Sequence, residues 1–342
     1  MQIVILSTRP AVLTETWAHL QHFMPWADRA LVICPESMAG QFALGGDASI
    51  VSDEALTGLG TDTLRSMDHM SRNFTLRGAL GVHDSLDEEF IMCDDDARPL
   101  KQVEPEFFRL EGRDRCYFFY DLDAWPGDET PFDTGQHNAR ELLAYLGHER
   151  LAYGSHMPQI IRKAYLAEAW EIARRLTTDA ALDEWSLYFN IARHLHPADF
   201  CDPEPFRTLC WPQFPNEWPW WVRPPEYVFE NHYPELYGAG RLFDGIPPSL
   251  DPVDAERHNV EKILRWAAFG RRSARLDFPD DVANPWTGSS PVRRASFGML
   301  RRLQKAFTYV SLEQRARMTE LQGAVARLEE EVRRLNRPGG IE

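Results

Sequence analysis

The chain has 342 residues, of which 44% are hydrophobic, and its mean hydropathy is −0.42. This balance is typical of a globular protein, and the length suffices for one large α/β domain with a smaller appendage. The net charge of −15 argues against a protein whose main work is to bind nucleic-acid backbones.

Neither a targeting signal nor a membrane span is predicted. Residues 1–7 carry no basic region, and their apolar run is too short for a signal peptide. No apolar stretch approaches the roughly 18 residues that cross a membrane. The five cysteines form no CxxC pair, which indicates reduced thiols in a core rather than a metal site. We therefore predict a cytoplasmic protein.

The first fifty residues are typical of the opening half of a nucleotide-binding α/β domain. Apolar runs at residues 3–6, 30–34 and 48–51 predict strands of a parallel sheet, with a helix between the first two. In such a sheet the ligand lies beyond the carboxyl ends of the strands. The first candidates for nucleotide contacts are the polar residues that follow the strands, Thr8, Arg9, Glu36 and Asp53. For Glu36 and Asp53 the alternative is a carboxylate of a turn or a helix cap.

A helix is predicted over residues 63–82, after a glycine-rich loop. Arg72 and Arg77 lie on this helix. One interpretation of both is pairing with Asp68 or Asp84 on the surface.

An acidic stretch follows the next predicted strand. Residues 90–93 are an apolar run of the length of a buried strand, and Asp94, Asp95 and Asp96 come directly after it. Three adjacent carboxylates are costly to desolvate unless a cation or hydrogen-bond donors compensate them. Asp94 and Asp96 point the same way in an extended chain, and their oxygens suit Mg²⁺ or Mn²⁺ on a phosphate. The alternative is a solvated acidic turn.

The middle of the chain predicts further elements around this edge of the sheet. Residues 116–120 indicate a strand, residues 121–137 a polar loop in which acceptor-binding residues are expected, and residues 138–146 a helix. His156 and Pro158 precede a helix predicted over residues 159–176. For His156 we favour a loop histidine over a contact to acceptor or phosphate.

Asp183 and Glu184 form an acidic pair at the start of another predicted helix. The helix dipole and the N-cap favour acids at this point without any catalytic role. Later in the chain His232 ends a short apolar run, and an imidazole is an acceptable ligand for Mn²⁺. The alternative for His232 is a loop histidine.

The C-terminal part predicts helices outside the α/β body. Residues 254–276 indicate a helix, residues 291–307 a basic amphipathic helix, and residues 318–335 a short coiled-coil seam. The seam predicts a homo-oligomer. We divide the chain into a catalytic domain at 1–245, a helical extension and linker at 246–290, and a basic helix with coiled-coil tail at 291–342.

The acidic triplet at the end of a buried strand resembles the DxD signature of GT-A glycosyltransferases, and the likeness covers about residues 1–240. It implies a Rossmann-like, mostly parallel sheet flanked by helices, with a nucleoside-diphosphate sugar as donor. By this resemblance Asp94, Asp96 and His232 would hold Mn²⁺ or Mg²⁺ on the diphosphate, and Asp95 would orient hydroxyls of ribose or sugar.

The same resemblance implies two further roles. Arg72, or in second place Arg77, would contact the donor, and Glu184 or Asp183 would be the general base of an inverting hexosyltransferase. Glu184 matches the family pattern slightly better. The acceptor would carry a hydroxyl on a glycan, a protein or a small molecule.

Two other classes of protein stay open. His156 before Pro158 resembles, over a few residues, Stealth-type sugar-phosphate transferases. A sugar-phosphate or nucleotidyl transferase also needs carboxylates at strand ends and a metal ion, but it releases different products. A non-catalytic sugar-binding scaffold on a coiled-coil stalk would tolerate loss of the predicted base.

Overall fold

The computed structural model describes residues 1–125, 130–154, 156–177, 181–209 and 227–269. In these ranges the strands are β1 (Gln2–Leu6), β2 (Arg29–Cys34), β3 (Asp47–Ser52), β4 (Glu89–Asp94), β5 (Ala97–Pro99), β6 (Arg109–Leu110), β7 (Arg113–Asp114), β8 (Tyr117–Phe118), β9 (Tyr120–Asp121), β10 (Leu151–Ala152), β11 (Gln159–Arg162), β12 (Glu204–Pro205), β13 (Thr208–Leu209) and β14 (Phe229–Asn231). The helices are α1 (Pro10–Phe23), α2 (Asp53–Thr57), α3 (Thr61–Ser66), α4 (His69–Leu80), α5 (Pro131–Leu146), α6 (Lys163–Leu176), α7 (Glu184–Leu195) and α8 (Pro252–Phe269).

The central sheet has five strands in the order β11-β4-β1-β2-β3. The four strands β4, β1, β2 and β3 are parallel, and β11 pairs antiparallel with β4 at the edge. The chain runs from β1 outwards to β3 and then returns to β4 on the other side of β1. The carboxyl ends of β1 and β4 therefore lie side by side at a topological switch point, with Leu6 paired with Asp94. The prediction of a mixed α/β chain with a mainly parallel sheet is confirmed.

Helices cover both faces of this sheet, because side chains alternate along each strand. Val4 and Phe90 face a core that includes buried residues of α4, α5, α6 and α7. Ile3 and Ile91 face the opposite core, where α1 packs. A strand buried on both faces carries an unbroken apolar run, which is the pattern that predicted β1, β2 and β4.

Several predicted elements have different bounds in the structure, among them the strand predicted over residues 116–120, which is the two strands β8 and β9. The helix predicted over residues 63–82 is two helices, α3 and α4, because Asp68 caps a new helix by accepting a hydrogen bond from Ser71 N at 3.0 Å. The helix predicted over residues 159–176 begins as strand β11, with Ile160 and Ile161 buried in opposite cores. Helix α5 starts earlier than predicted, inside the expected loop, because Thr130 and Asp133 form a capping box.

The chain forms two compact units, residues Met1–Pro285 and Trp286–Glu342. All the elements named above belong to the first unit. The predicted basic helix and the coiled-coil seam lie outside the described residues. Within the described residues, no helix is long and apolar enough to cross a membrane.

Helices α4 and α6 approach each other closely at Gly78. A Cβ atom at this position would lie 2.2 Å from the indole ring of Trp170, which stacks on Phe74. We expect Gly78→Ala to lower the free energy of unfolding by about 1–3 kcal/mol, because the buried indole must move. Urea denaturation followed by circular dichroism measures this. The matched control is Gly40→Ala, where a Cβ meets no atom within 4 Å; equal stability of the two variants would contradict the packing.

Candidate functional site

A cavity of about 390 Å³ lies at the switch point between β1 and β4. It is bounded by the chain after β1, the end of β4, one face of α4, the chain before β11 and the start of α7. Its charged and histidine side chains are Arg9, His69, Arg72, Arg77, Asp94, Asp95, Asp96, His156, Asp183 and Glu184. Of the residues predicted from the sequence, the structure therefore brings Thr8, Arg9, Arg72, Arg77, the acidic triplet and the Asp183–Glu184 pair to one cavity.

Asp94 ends β4 and has two basic partners. Arg77 Nη2 donates to Asp94 Oδ1 at 2.7 Å, and His156 Nδ1 lies 2.9 Å from Asp94 Oδ2. Burial alone would raise the pKa of Asp94, but the charges of Arg77 and His156 outweigh it and hold that pKa well below its usual range. His156 has a left-handed backbone, with φ of 50°, a conformation that non-glycine residues adopt mainly where the surroundings demand it.

Asp95 and Asp96 share the guanidinium of Arg9. Arg9 donates to both oxygens of Asp95, and its Nη2 donates to Asp96 Oδ2 at 2.8 Å. Ser7 Oγ donates to Asp95 Oδ2 at 2.7 Å, and Asn231 Nδ2 donates to Asp96 Oδ1 at 3.3 Å. Burial raises the pKa of Asp95 against the opposing hydrogen bonds from Arg9. The acidic triplet is thus compensated by basic side chains of the same chain, and it is not a solvated turn.

Glu184 opens α7 as a buried carboxylate. Its Oε1 lies 3.1 Å from Arg77 Nε, and among the described residues no hydrogen-bond partner is found for its Oε2. Burial raises the pKa of Glu184 to about 7, helped by the neighbouring charge of Asp183 and opposed by that of Arg77. Glu184 can therefore exchange a proton near neutral pH, which is what general acid–base chemistry needs.

Asp183 differs from Glu184 in its bonding. It is the N-cap of α7, with Oδ1 accepting from Ser186 N at 2.7 Å. Burial raises the pKa of Asp183 as well. A Cβ at Gly154 would lie 2.9 Å from Asp183 Oδ2, so a glycine there leaves room for this carboxylate. The capping role that the sequence offered as an alternative is present for Asp183, whereas Glu184 keeps one oxygen for a ligand.

Two of the predicted nucleotide contacts do not line the cavity. Asp53 lies in the first turn of α2, where its carboxylate is buried and paired with Arg72. Glu36 is an exposed residue in the first turn of a short 3-10 helix. Both therefore occupy the helix-start positions that the sequence offered as the alternative. Arg72 is the side chain that reaches the cavity from this region.

His232 does not join the acidic triplet. Its backbone N donates to Asp96 O at 2.7 Å, but its ring points away and Nε2 lies 2.7 Å from Glu15 Oε2. Asn231 faces Asp96, so the next side chain along the chain faces the opposite way. Burial and the charge of Arg98 lower the pKa of His232 to about 3, so the ring is neutral.

The ligands predicted for a metal ion are Asp94, Asp96 and His232. Among the described residues, no group of three His, Cys, Asp or Glu side chains lies close enough to hold a metal ion. Asp94 and Asp96 carry hydrogen bonds from arginines instead, and the His232 ring lies beside Glu15. The residues predicted from the sequence therefore do not form a metal-binding set in this arrangement.

Several cavity residues escaped the sequence analysis. Ser7, His69, Phe132 and Trp185 line the cavity. Ser7 directly follows the first strand, and this position is itself a signal, because polar residues at strand ends meet the ligand in such sheets. The other three lie on or beside helices whose facing surfaces depend on tertiary packing, so no local pattern marks them.

Comparisons with known proteins give structural neighbours at low identity and low TM-score. No family model and no curated protein matches the chain. A structure of the galactosyltransferase LgtC in complex with donor and acceptor sugar analogues is 13% identical, with a TM-score of 0.39, over 84% of this chain and 99% of that one. An active-site mutant of LgtC is 11% identical, with a TM-score of 0.40, over 76% and 95%.

A third similar structure is mouse xyloside xylosyltransferase 1 in its apo form. It is 11% identical, with a TM-score of 0.34, over 61% of this chain and 87% of that one. All three structural neighbours are glycosyltransferases. At these identities and TM-scores the likeness assigns neither a reaction nor a substrate to the present chain.

Proposed function

We propose that this chain is a glycosyltransferase that moves a sugar from a nucleoside-diphosphate sugar to a hydroxyl acceptor. One observation carries the proposal. A cavity at the switch point of a mainly parallel sheet combines arginines with a buried glutamate, Glu184, that has a raised pKa and a free oxygen. An anion-binding side and a proton-accepting side in one cavity are what this reaction requires.

The arginines define the donor side. Arg9 and Arg72 line the cavity, and Arg9 is partly exposed, with 42% of its side chain accessible. The first turn of α4 also faces the cavity through His69, so the positive end of the helix dipole adds to these charges. A diphosphate placed here would meet cationic groups that stabilise the charge of the leaving group. Asp95 would then orient hydroxyls of ribose or sugar.

Glu184 defines the acceptor side. The acceptor oxygen attacks the anomeric carbon and the bond from that carbon to the diphosphate oxygen breaks. Glu184 Oε2 takes the acceptor proton, and the nucleoside diphosphate leaves with the electron pair. A single displacement of this kind inverts the anomeric configuration, so the product configuration is part of the proposal. The donor sugar is a hexose in this proposal, and the C-terminal seam would form a homo-oligomer.

Metal dependence remains a prediction from the sequence. The ligands predicted for Mn²⁺ or Mg²⁺ do not converge among the described residues, so no step above is assigned to an ion. The same cavity also fits a sugar-phosphate transferase, and His156, which lines it beside Asp94, favours that second candidate. The two reactions differ in their products, because a sugar-phosphate transferase releases a nucleoside monophosphate.

A panel of nucleotide sugars tests the proposed function. We expect purified protein to release nucleoside diphosphate from one donor, first by slow hydrolysis and faster once an acceptor is present. Assays with Mn²⁺, with Mg²⁺ and with a chelator determine whether an ion is required. We expect Asp96→Asn to weaken release about tenfold or more, because Asp96 and Asp95 hold Arg9 in the cavity.

The control for this assay is Glu171→Gln, which removes an exposed carboxylate of α6 far from the cavity. This variant should match the unmodified protein. Release of nucleoside monophosphate would favour the sugar-phosphate transferase. Neither release nor donor binding by calorimetry, across the whole panel, would leave the sugar-binding scaffold as the better hypothesis.

A further inference from the structure

A single guanidinium connects the two sides of the cavity. Arg77 comes from α4, and its Nη2 donates to Asp94 Oδ1 at 2.7 Å. The Nε of the same side chain lies 3.1 Å from Glu184 Oε1. Asp94 belongs to the donor side of the cavity and Glu184 to the acceptor side. The positive charge of Arg77 is therefore shared by the carboxylates of Asp94 and Glu184, which lie on different sides of the cavity.

The position of Arg77 is fixed by packing. Its side chain is 3% exposed, and its guanidinium carbon lies 4.6 Å from the ring centre of Trp185. A cation over an indole face is stabilised by the ring, and the planar guanidinium resists reorientation. Among the described residues, no hydrogen-bond partner is found for Arg77 Nη1. The Arg77 guanidinium therefore cannot move towards either Asp94 or Glu184 without losing its contact with Trp185.

Few charged groups surround Glu184. Arg77 approaches it from α4, Asp94 from the end of β4, and Asp183 from the residue before α7. The same cavity is also lined by His69, His156, Arg9, Arg72, Asp95 and Asp96. Arg77 is the cation in this set that is paired directly with Glu184, so it governs how readily the glutamate ionises.

We propose that Arg77 is a positioning residue that couples the state of Asp94 to the ionisation of Glu184. Anything that withdraws Asp94 from Arg77, such as a donor group or a cation taking up its carboxylate, frees the guanidinium for Glu184 and favours the ionised base. Glu184 is then prepared to accept a proton when the donor is in place. The catalytic role of this coupling rests on the proposed function. The coupling itself is a property of the protein without substrate, because it concerns the protonation of Glu184.

The coupling is measured without any substrate. Protein labelled with ¹³C at the glutamate carboxyl carbons is titrated by NMR, and the spectrum of Glu184→Gln assigns the signal. We expect Asp94→Asn to lower the titration midpoint of Glu184 by about one pH unit or more, and Arg77→Met to raise it by a similar amount. In the double variant, Asp94→Asn should move the midpoint by less than about half as much as it does alone.

An equally large effect of Asp94→Asn with and without Arg77 would overturn the proposal, because Asp94 would then act on Glu184 directly. Should circular dichroism show that Arg77→Met fails to fold, Arg77→Lys replaces it. Lysine keeps the charge but lacks the planar fork that holds two carboxylates, so the coupling is again expected to weaken. If no nucleotide sugar in the panel is cleaved or bound, the proposed function is wrong. The titration of Glu184 would still decide whether Arg77 couples it to Asp94.

Discussion

Glu184→Gln is expected to lower kcat by about 10²–10⁴-fold while donor binding by calorimetry changes little. Glutamine has almost the same shape and keeps an oxygen towards Arg77, but it cannot accept the acceptor proton. Because the two side chains have nearly the same shape, we expect the fold to persist, and circular dichroism of the variant checks this. Turnover and donor affinity are measured on the same preparation, with the exposed Glu171→Gln as the matched control.

The pH profile provides a second check on the same variant. Burial raises the pKa of Glu184 to about 7, and the base works only when ionised, so activity of the unmodified protein should rise as pH increases through 7. The residual activity of Glu184→Gln should lack this rise. Asp183→Asn keeps the oxygen that caps α7 and should cost far less. If Asp183→Asn lowers kcat more than Glu184→Gln does, Asp183 and not Glu184 is the general base.

Glu230→Gln is expected to lower the free energy of unfolding by about 3–5 kcal/mol. Glu230 lies on β14 with no exposed surface, where Arg98 and Lys262 both donate to it, the latter at 2.6 Å. Glutamine removes the buried negative charge that both cations face. Urea denaturation near neutral pH measures the loss. Glu171→Gln breaks an exposed pair with Arg175 and should cost less than about 1 kcal/mol.

The pH dependence of this stability has a definite sign. Burial alone would raise the pKa of Glu230, but the charges of Arg98 and Lys262 outweigh it and hold that pKa well below its usual range. An acid with a depressed pKa in the folded state contributes stability above its unfolded pKa of about 4.3 and loses it as the pH falls further. The gap between Glu230→Gln and the unmodified protein should therefore narrow below about pH 4. A constant gap would rule out the ion pairs as its cause.

The sequence predicted the sheet better than it predicted the helix boundaries. Doubly buried strands leave uninterrupted apolar runs, and the acids after β4 marked its carboxyl end. Ile160 and Ile161 instead fitted a helix face as well as a short strand, and only the pairing of β11 with β4 decides between them. The break before α4 depends on the single cap at Asp68, which is a weak signal inside a long helical pattern.

The part of the candidate site that lies at the ends of strands could also be predicted from the sequence. Residues placed directly after strands, such as Arg9 and Asp94, reach the cavity because topology alone brings strand ends together. The pairing of Arg77 with Glu184 joins two helices far apart in the chain, and no local pattern encodes it. For His232 the position in the chain was a misleading signal. Its place in the chain order matched the prediction, but a shift of one residue along the chain turns the ring towards Glu15.

The order of these residues along the chain also bears on how the site is assembled during synthesis. Arg9 and Arg77 both precede the acidic triplet, so its carboxylates follow their counter-charges out of the ribosome. Glu184 is synthesised later. Its contact with Arg77 closes a long loop, and the packing of α7 offsets the entropy lost in closing that loop. The arginines and the acidic triplet are therefore synthesised before Glu184, and the proposed proton acceptor joins them only when α7 packs.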